Sequence, residues 1–291
     1  MKKGLIYTVI TAILFVTFEP VSKIIAESVS PFGITFWRFM LGSLLLTPFA
    51  IIKIKKDGLA IKAKDFLIMG CLGILFICIS MLALQTGVKV ANSPALIAVI
   101  FSANSVTTIL FAIPILKEKM TLNKAIATIL GVIGILICAD FKSGENLPAV
   151  LLGVGSALTF SLYTVLCRKY TKHLGAAVQA AGSFFLGCIV LLVILLVGRY
   201  DIVPEMNTEN ILIMLYIGVL VTGVGYWSYF RAMEKGGAIM ASLAFFIKPV
   251  LTPFATFAIN GIVPTWEVYV AVLLIVAGSY FAAYKKDKKV Q

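Results

Sequence analysis

Charged residues are scarce in this chain. Only 13% of its 291 residues are Asp, Glu, Lys or Arg, whereas soluble globular domains carry about 25%. Hydrophobic residues make up 60% of the chain. This composition excludes a large soluble α/β domain and predicts a helical protein that crosses a membrane several times.

The residue patterns that carry enzymatic chemistry are also missing. His173 is the only histidine, and the five cysteines form no CxxC pair and no metal-ligand spacing. The sequence has no GxxxxGK[ST] phosphate-binding loop, which excludes ATP-driven transport by this chain alone. We therefore predict no enzymatic activity, no metal and no cofactor, and we interpret the cysteines as small residues within apolar helices.

Long apolar runs are what the sequence has in abundance. Each is about 20 residues long, enough to cross a hydrocarbon core of ~30 Å. They lie at roughly residues 4–25, 32–52, 66–87, 93–116, 122–140, 149–167, 175–198, 210–230, 238–260 and 264–284. No small-residue cleavage site ends the first run, so we predict a transmembrane helix there rather than a signal peptide. The predicted fold class is an all-α membrane protein with ten transmembrane helices.

The basic residues are distributed unevenly between the two sides of the membrane. The 25 Lys and Arg residues give a net charge of +12, which on a soluble protein would suggest a nucleic-acid partner. In a membrane protein, basic residues collect in cytoplasmic loops instead. Alternating the loops between sides puts nineteen basic residues with the two termini and four on the opposite side. We predict a multi-pass cell-membrane protein with both termini cytoplasmic, surrounded by lipid and without a nucleic-acid partner.

The two halves of the chain resemble each other faintly. GLIYTVITAILFVTFEPVSK aligns with GVGSALTFSLYTVLCRKYTK, and DFLIMGCLGIL in the third helix aligns with NILIMLYIGVL in the eighth. Each half holds five predicted spans, an odd number, so a shared fold requires the second half to be inverted. We expect one transmembrane domain of two inverted repeats, residues 1–144 and 145–291, as in many secondary transporters, with a substrate site near the midplane.

Several motifs occur at characteristic places. In VSKIIAESVSPFGITFWRF, Lys23 lies late in helix 1, and Pro31 and Arg38 open helix 2. ALQTGVKVANSPALIAVI leads into helix 4, Glu118 precedes helix 5, and YFRAMEKGGAIMASLAFFIKPV ends with the helix-9 proline Pro249. In these motifs the chain resembles the drug/metabolite transporter superfamily, in particular its ten-helix members built from two EamA-type repeats. The resemblance spans nearly the whole chain and implies the architecture of a transporter without specifying a substrate.

Two positions depart from the family pattern. Asn104 stands roughly where many members have a helix-4 proline, so the resemblance no longer supports a kink there. Asn260-Gly261 replaces the acidic residue expected after helix 9, so the second half lacks a counterpart of Glu118. We therefore expect the two halves to differ in function.

Three charged residues lie inside predicted spans: Glu19, Arg38 and Lys248. Because a lysine at the centre of a membrane helix costs roughly 2.5–3.5 kcal/mol on insertion scales, these side chains are expected to face a cavity or a partner. At a rise of ~1.5 Å per residue, Glu19 and Arg38 lie ~9 Å below the external surface and Lys248 lies ~15 Å deep. Glu19 can pair with either cation, and the sequence leaves this choice open.

These charges suggest how the protein works. We predict that Lys248 lines the central pathway and that Glu19 gates or couples transport. Trp37 beside Arg38, Tyr163 at mid-depth in helix 6, and the helix-8 aromatics after Gly225 are candidates to line the cavity, with plain packing or an interfacial belt as the alternative. Asn104 is interpreted as a polar contact or an interhelical hydrogen-bonding group. The predicted substrate-binding residues are Lys248, Glu19, Arg38, Tyr163, Trp227, Asn104, Trp37 and Tyr226.

The predicted function is secondary active export of a small polar metabolite by alternating access. An amino acid or related zwitterion is the first choice because Glu19 and Lys248 offer opposite charges to one ligand. A proton-coupled or facilitative carrier of an organic cation or amine remains open, as does a channel or lipid-handling membrane protein. Protons are a candidate coupling ion, and a monomer is favoured.

Overall fold

The computed structural model describes residues 2–138, 147–200 and 207–283, with side chains described at 4–138, 147–200, 207–235 and 244–281. The predicted repeat boundary at 144/145 lies outside the described residues. Within them the chain forms ten apolar helices. Seven are long and apolar enough to cross a membrane, and three are shorter. The prediction of an all-α membrane protein with ten transmembrane helices is confirmed.

The helices are numbered in chain order. They are α1, Lys2–Val16 continued by Phe18–Ile24; α2, Pro31–Asp57; α3, Ala63–Val90; α4, Pro94–Leu116; α5, Leu122–Cys138; α6, Leu147–Tyr170; α7, Ala176–Val197; α8, Thr208–Lys235; α9, Ala244–Asn260; and α10, Trp266–Ala283. A short 3-10 turn, Lys172–Leu174, joins α6 to α7.

The reversal between α8 and α9 is visible from side-chain contacts. By backbone hydrogen bonding, Gly225–Asn260 is one helix. However, the ring centroids of Tyr229 and Phe245 lie 5.6 Å apart. Sixteen residues of straight helix would separate them by ~24 Å. The chain therefore turns back between these two residues, and α8 and α9 are separate spans.

The ends of α2 show how local sequence sets helix limits. Ser30 caps the N-terminus, where its Oγ accepts a hydrogen bond from Gly33 N–H at 3.1 Å, and Pro31 occupies the first helical turn. At the other end Gly58 adopts φ +61°, a left-handed conformation that favours glycine. The helix therefore ends beyond the apolar run predicted at 32–52, because the basic segment before Gly58 continues it.

Helices α1 and α4 are both interrupted near their middles. In α1 the break falls at Thr17, three residues before Pro20, which has no N–H to donate. In α4 it falls at Ala103, where Asn104 Nδ2 donates to the Phe101 carbonyl oxygen at 2.7 Å. Although a helix-4 proline is absent, α4 is therefore broken at this place, because a side-chain donor competes for a backbone carbonyl.

Helix contacts follow the two-fold relation of an inverted repeat. The equivalent helices α2 and α7 pack together, as do α5 and α10. The contact of α1 with α9 is matched by that of α6 with α4, and the contact of α3 with α7 by that of α8 with α2. Exchanging the two halves thus reproduces these contacts. The protein consists of two inverted five-helix repeats.

A cluster of aromatic rings occupies the centre of this arrangement. Phe76 on α3 stacks on Phe184 of α7, with ring centroids 5.1 Å apart, and on Tyr163 of α6 at 4.6 Å. Phe39 of α2 meets both phenylalanines edge-on. Helices from both repeats therefore share one aromatic core, which forms part of the wall of the cavity described next.

Candidate functional site

A buried ion pair joins the two repeats. Lys248 Nζ on α9 donates a hydrogen bond to Glu19 Oε1 on α1 at 2.6 Å. The Glu19 side chain is fully buried, and that of Lys248 is 6% exposed. Glu19 Oε2 has no hydrogen-bond partner among the described residues. In such a place each charge depends on the other, because an unpaired buried ion costs several kcal/mol, in the range of about 3–5 kcal/mol when one partner is removed.

Arg38 lies beside this pair but does not form an ion pair with Glu19. No nitrogen of Arg38 comes within 4.0 Å of a described carboxylate oxygen. Its Nε donates to Thr222 Oγ1 at 2.9 Å, and its guanidinium carbon lies 3.6 Å from the ring centroid of Phe18. The sequence left open whether Glu19 pairs with Arg38 or with Lys248, and in the structure it pairs with Lys248. Arg38 instead contacts α8 and an aromatic ring of α1.

Arg38 and Lys248 line the same small chamber. Its volume is about 20 Å³, enough for roughly one water-sized group. The remaining walls are apolar side chains and one tyrosine: Phe15, Phe18, Met81, Leu84, Phe101, Phe160, Val221, Tyr226 and Phe245. We call this space the small chamber.

A second cavity, the large chamber, has a volume of about 600 Å³. It begins among the mid-helix rings of Phe76 and Phe184 and continues to Arg168 and Lys172, which are exposed where α6 ends. Phe160, Tyr226 and Phe245 line both chambers. We call the Arg168 side of the molecule the open end. Among the residues that line the large chamber, the charged ones are both basic.

The opposite side of the molecule, the closed end, is held by hydrogen bonds between helices. Lys23 Nζ donates to the carbonyl oxygens of Lys89 at 2.7 Å and Ala91 at 2.9 Å, where α3 ends. Ser22 and Gln85 are hydrogen-bonded to each other. These contacts join α1 to α3.

A further contact at the closed end joins α1 to α9. Asn260 Nδ2 donates to the Pro20 carbonyl oxygen at 3.0 Å. The departure from the family pattern at Asn260 therefore supplies a hydrogen bond between the repeats. Together with the contacts of α3, it closes this end of the molecule in the present conformation.

At the open end, ion pairs lie around the loops. Glu118 accepts from Lys124 Nζ at 2.8 Å and from Arg168 at 3.3 Å. The hydrogen bond from Lys124 holds the pKa of Glu118 below its ordinary value, with Arg168 adding to the effect. His173 Nε2 lies 3.1 Å from Asp65 Oδ1, which joins the α6–α7 connection to the start of α3. The single histidine thus has a structural partner.

Six of the eight predicted site residues are brought together. Asn104 and Tyr163 line the large chamber, and Tyr226 lines both chambers. Arg38 and Lys248 line the small chamber, and Glu19 lies directly behind Lys248.

The two tryptophans lie away from both chambers. Trp37 packs edge-on against Phe36, and Trp227 contacts Tyr7 and Phe49. Trp37 was inferred from its neighbour Arg38, and Trp227 from the aromatic stretch that follows Gly223 and Gly225 in helix 8. Consecutive residues of a helix point about 100° apart, so a neighbour of a chamber residue faces elsewhere.

Sequence reasoning missed most of the aromatic lining. Phe76, Phe160, Phe184 and Phe245 form much of the wall, yet a phenylalanine in an apolar helix gives no signal that separates cavity from core. Gln179 is also in the wall and donates to Tyr163 Oη at 3.1 Å. An amide in an apolar run was the one available signal for this part of the chamber.

An inverted-repeat helical membrane protein, with a chamber that ends at buried charges between its repeats, belongs to the class of membrane transporters. The model of the EamA-like transporter family matches the chain twice, at residues 2–139 and 147–284. The chain therefore belongs to the EamA-like transporter family.

Individual relatives agree with this assignment. An uncharacterized transporter of Clostridium kluyveri is 34% identical over 99% of this chain and 95% of its own length. The uncharacterized transporter YyaM of Bacillus subtilis is 25% identical over 84% of this chain and 82% of its own length. A solved crystal structure with 17% sequence identity has a TM-score of 0.66 over 97% of each chain, a likeness of fold alone.

Proposed function

We propose that this protein is a secondary active transporter that moves a small polar metabolite by alternating access. The observation that carries the proposal is the buried Glu19–Lys248 pair between the repeats, at the closed end of a chamber open on the other side. A carrier with a site near the midplane has this form in one of its two conformations. Opening the other end requires α1 and α9 to separate, which breaks the pair.

The positive-inside rule suggests the orientation in the membrane. Arg168, Lys172 and Lys124 lie at the open end, and basic loops are cytoplasmic in most membrane proteins. On this assignment both termini are cytoplasmic and the protein is open to the cytoplasm in the present conformation. An exporter in the cell membrane would load its substrate into the large chamber in this conformation. A monomer is sufficient, since one chain supplies the chamber and both charges.

An amino acid or related zwitterion fits the ion pair best. Its ammonium group can replace Lys248 at Glu19, and its carboxylate can replace Glu19 at Lys248. A bound zwitterion would therefore open the pair without leaving a buried charge unpaired. Protonation of Glu19 would also release Lys248, which makes the proton a candidate coupling ion.

The aromatic lining supports a second candidate, an organic cation or amine. Cations are attracted to the faces of aromatic rings, and rings from five helices surround the large chamber: Phe76, Phe160, Tyr163, Phe184, Tyr226, Tyr229, Phe230, Phe245 and Phe246. In this case Glu19 would serve as the counter-charge. Arg168 and Lys172 at the open end repel cations, so we rank this candidate second.

Transport into proteoliposomes tests the proposal. A thermal-shift screen of the purified protein against amino acids, polyamines and quaternary amines would select the ligand, because a ligand that binds only the folded state raises its apparent stability. Counterflow of that ligand is expected to be saturable. Lys248→Ala and Glu19→Gln are each expected to slow it roughly tenfold or more, equivalent to ~1.4 kcal/mol or more.

Lys64→Ala, a change of an exposed lysine outside the chambers, is the matched control and should transport at the wild-type rate. Current that rises with concentration without saturation would contradict a carrier and support a channel. Wild-type counterflow in both charge variants would contradict the assigned role of the pair.

A further inference from the structure

The buried charges around the small chamber do not balance. Arg38, Lys248 and Glu19 are all buried, and together they carry two positive charges and one negative charge. Lys248 is neutralised by Glu19, while Arg38 has no carboxylate within 4.0 Å among the described residues. We infer that the carboxylate of the transported substrate occupies the small chamber and binds Arg38 beside Lys248, which lines the same chamber.

Arg38 is positioned to receive an anion. A guanidinium has five N–H donors and no acceptor, yet among the described residues only Nε of Arg38 has a hydrogen-bond partner, Thr222 Oγ1. Thr222 donates its own proton to the Ile217 carbonyl oxygen at 2.9 Å, so its lone pairs face the arginine. This contact fixes the guanidinium plane and leaves its terminal N–H groups for a ligand. A planar donor pair of this kind matches the two oxygens of a carboxylate.

Aromatic contacts do not replace the missing anion. Arg38 lies over the rings of Phe18 and Phe39, at 3.6 and 4.6 Å from their centroids. Such contacts contribute about 0.5–2 kcal/mol, whereas the penalty for a buried ion is several kcal/mol. A ligand carboxylate would therefore be bound by a site that already carries the compensating charge.

The sizes of the chambers indicate which part of the ligand goes where. The small chamber, at about 20 Å³, holds one small polar group, and the large chamber, at about 600 Å³, holds a molecule. The rings of Phe160, Tyr226 and Phe245 form the wall common to both. The ligand is thus expected to place its carboxylate at Arg38 and an apolar or aromatic body among the rings. The carboxylate of the proposed zwitterion thereby becomes a required group, which argues against an organic cation that has none.

This inference rests on the proposed function, because it takes the bound ligand to be the transported substrate. Its test measures binding and not transport. Three probes share one body and differ in one group: phenylpropionate, phenylpropionamide and phenylpropylamine. Calorimetric titration of the full-length protein in detergent, in low-chloride buffer, is expected to show the carboxylate binding tightest. Arg38→Gln is expected to weaken carboxylate binding roughly tenfold or more, the usual effect of losing a hydrogen bond between charged groups, and to leave amide binding unchanged.

Two further variants keep the result interpretable. Arg199→Gln changes an arginine exposed at the closed end, away from both chambers, and should bind all three probes as the wild type does. Arg38→Lys keeps the charge but loses the planar donor pair. If Arg38→Gln does not fold, a several-fold loss of preference for the carboxylate in Arg38→Lys carries the test.

The inference is overturned if the amide or the amine binds as tightly as the carboxylate, or if the carboxylate preference is unchanged in a folded Arg38 variant. Chloride is the other source of a monovalent anion. Competition of added chloride with phenylpropionate supports a shared anion subsite, whereas Arg38-dependent chloride binding without carboxylate binding overturns the substrate assignment. Arg38-dependent carboxylate binding without any counterflow would refute the transport proposal alone.

Discussion

At the scale of single residues, loss of the Glu19–Lys248 pair should reduce the stability of the protein most. Lys248→Ala leaves Glu19 buried and unpaired, and we expect a loss of roughly 3–5 kcal/mol in the free energy of unfolding. Replacing both residues, as Glu19→Leu with Lys248→Met, removes both charges and should recover much of that loss. Thermal unfolding of the wild type, of Glu19→Leu and Lys248→Met singly, and of the double variant measures the coupling between the two residues.

The coupling energy between Glu19 and Lys248 decides this prediction. Two effects that simply add would mean that the residues do not depend on each other, in conflict with the 2.6 Å contact. Thr252→Val at the next turn of α9 is a suitable comparison, because the Thr252 hydroxyl donates only to the Lys248 carbonyl oxygen. Its effect should be small and independent of Glu19.

The sequence was informative about which residues matter and silent about how they pair. A charge within an apolar run is expensive wherever it points, so Glu19, Arg38 and Lys248 could be found without a structure. Whether Glu19 meets Lys248 depends on how α1 packs against α9, because the two residues are 229 positions apart in sequence. Trp37 shows the limit of inference from neighbours, since one position along a helix turns a side chain away from the chamber.

At the scale of helices, glycines allow the backbones of α3 and α7 to pack closely. A Cβ atom added at Gly73 would overlap the Ser183 carbonyl oxygen and would lie 2.8 Å from the Gly187 backbone nitrogen. Both obstacles are backbone atoms, so the helices would have to separate. We expect Gly73→Ala to destabilise the protein by about 1–3 kcal/mol, as overpacking does elsewhere, measured by thermal unfolding in detergent.

Gly155→Ala is the matched control for this effect. Gly155 also lies inside a helix, α6, but a Cβ atom added there meets nothing within 4 Å. The change should be neutral or slightly stabilising, because alanine restricts the unfolded chain more than glycine does. Equal losses of stability at both positions would show that the contact between α3 and α7 is not the cause.

The length of the apolar runs predicted where the helices lie. It did not predict where the helices are broken or π-helical. The break in α1 has a sequence signal in Pro20. The break in α4 has no proline and depends on Asn104 bonding to the Phe101 carbonyl oxygen, one of several arrangements open to an asparagine. The π-helical segments Ile74–Met81 and Tyr216–Val224 contain ordinary apolar residues, and no pattern in them indicates their backbone geometry.

At the scale of the whole molecule, the open and closed ends define one conformation of a moving protein. Cys167 lines the large chamber, so a variant that keeps Cys167 as its only cysteine reports access to that chamber. We expect a membrane-impermeant thiol reagent to label it in inside-out vesicles and not in intact cells, if the open end is cytoplasmic. Variants that keep only Cys138 or Cys188, both buried, should label in neither.

Lys23 allows the same assay to detect movement. Lys23→Met removes two hydrogen bonds to carbonyl oxygens at the end of α3, each worth about 1.5–3 kcal/mol as a bond to a charged group. Weakening the closed end should shift the population towards the opposite conformation and slow Cys167 labelling several-fold in inside-out vesicles. Lys89→Met should have no such effect, because Lys89 contributes its backbone carbonyl to this contact. Faster labelling in Lys23→Met would mean that these bonds do not hold that end closed.

The overall architecture followed from simple counting. Two similar halves with an odd number of spans can share a fold only if one is inverted, and the observed helix contacts have the two-fold relation that this requires. Counting could not find the chambers, because their position depends on which face of each helix turns inward. That face is decided by packing among apolar side chains that look alike in sequence.

The two π-helical segments lie in equivalent helices of the two halves, α3 and α8. They constrain how many residues each of these helices can contain. A π turn accommodates one residue more than an α turn, which rotates everything beyond it by about 100° relative to a regular helix. Leu84 and Gln85 follow the first segment, and Tyr226 follows the second. Deleting one residue from either segment would leave a continuous helix but present a different face to the chambers. In these two helices the number of residues in the π-helical segment, independently of their identity, decides which side chains beyond it face the chambers.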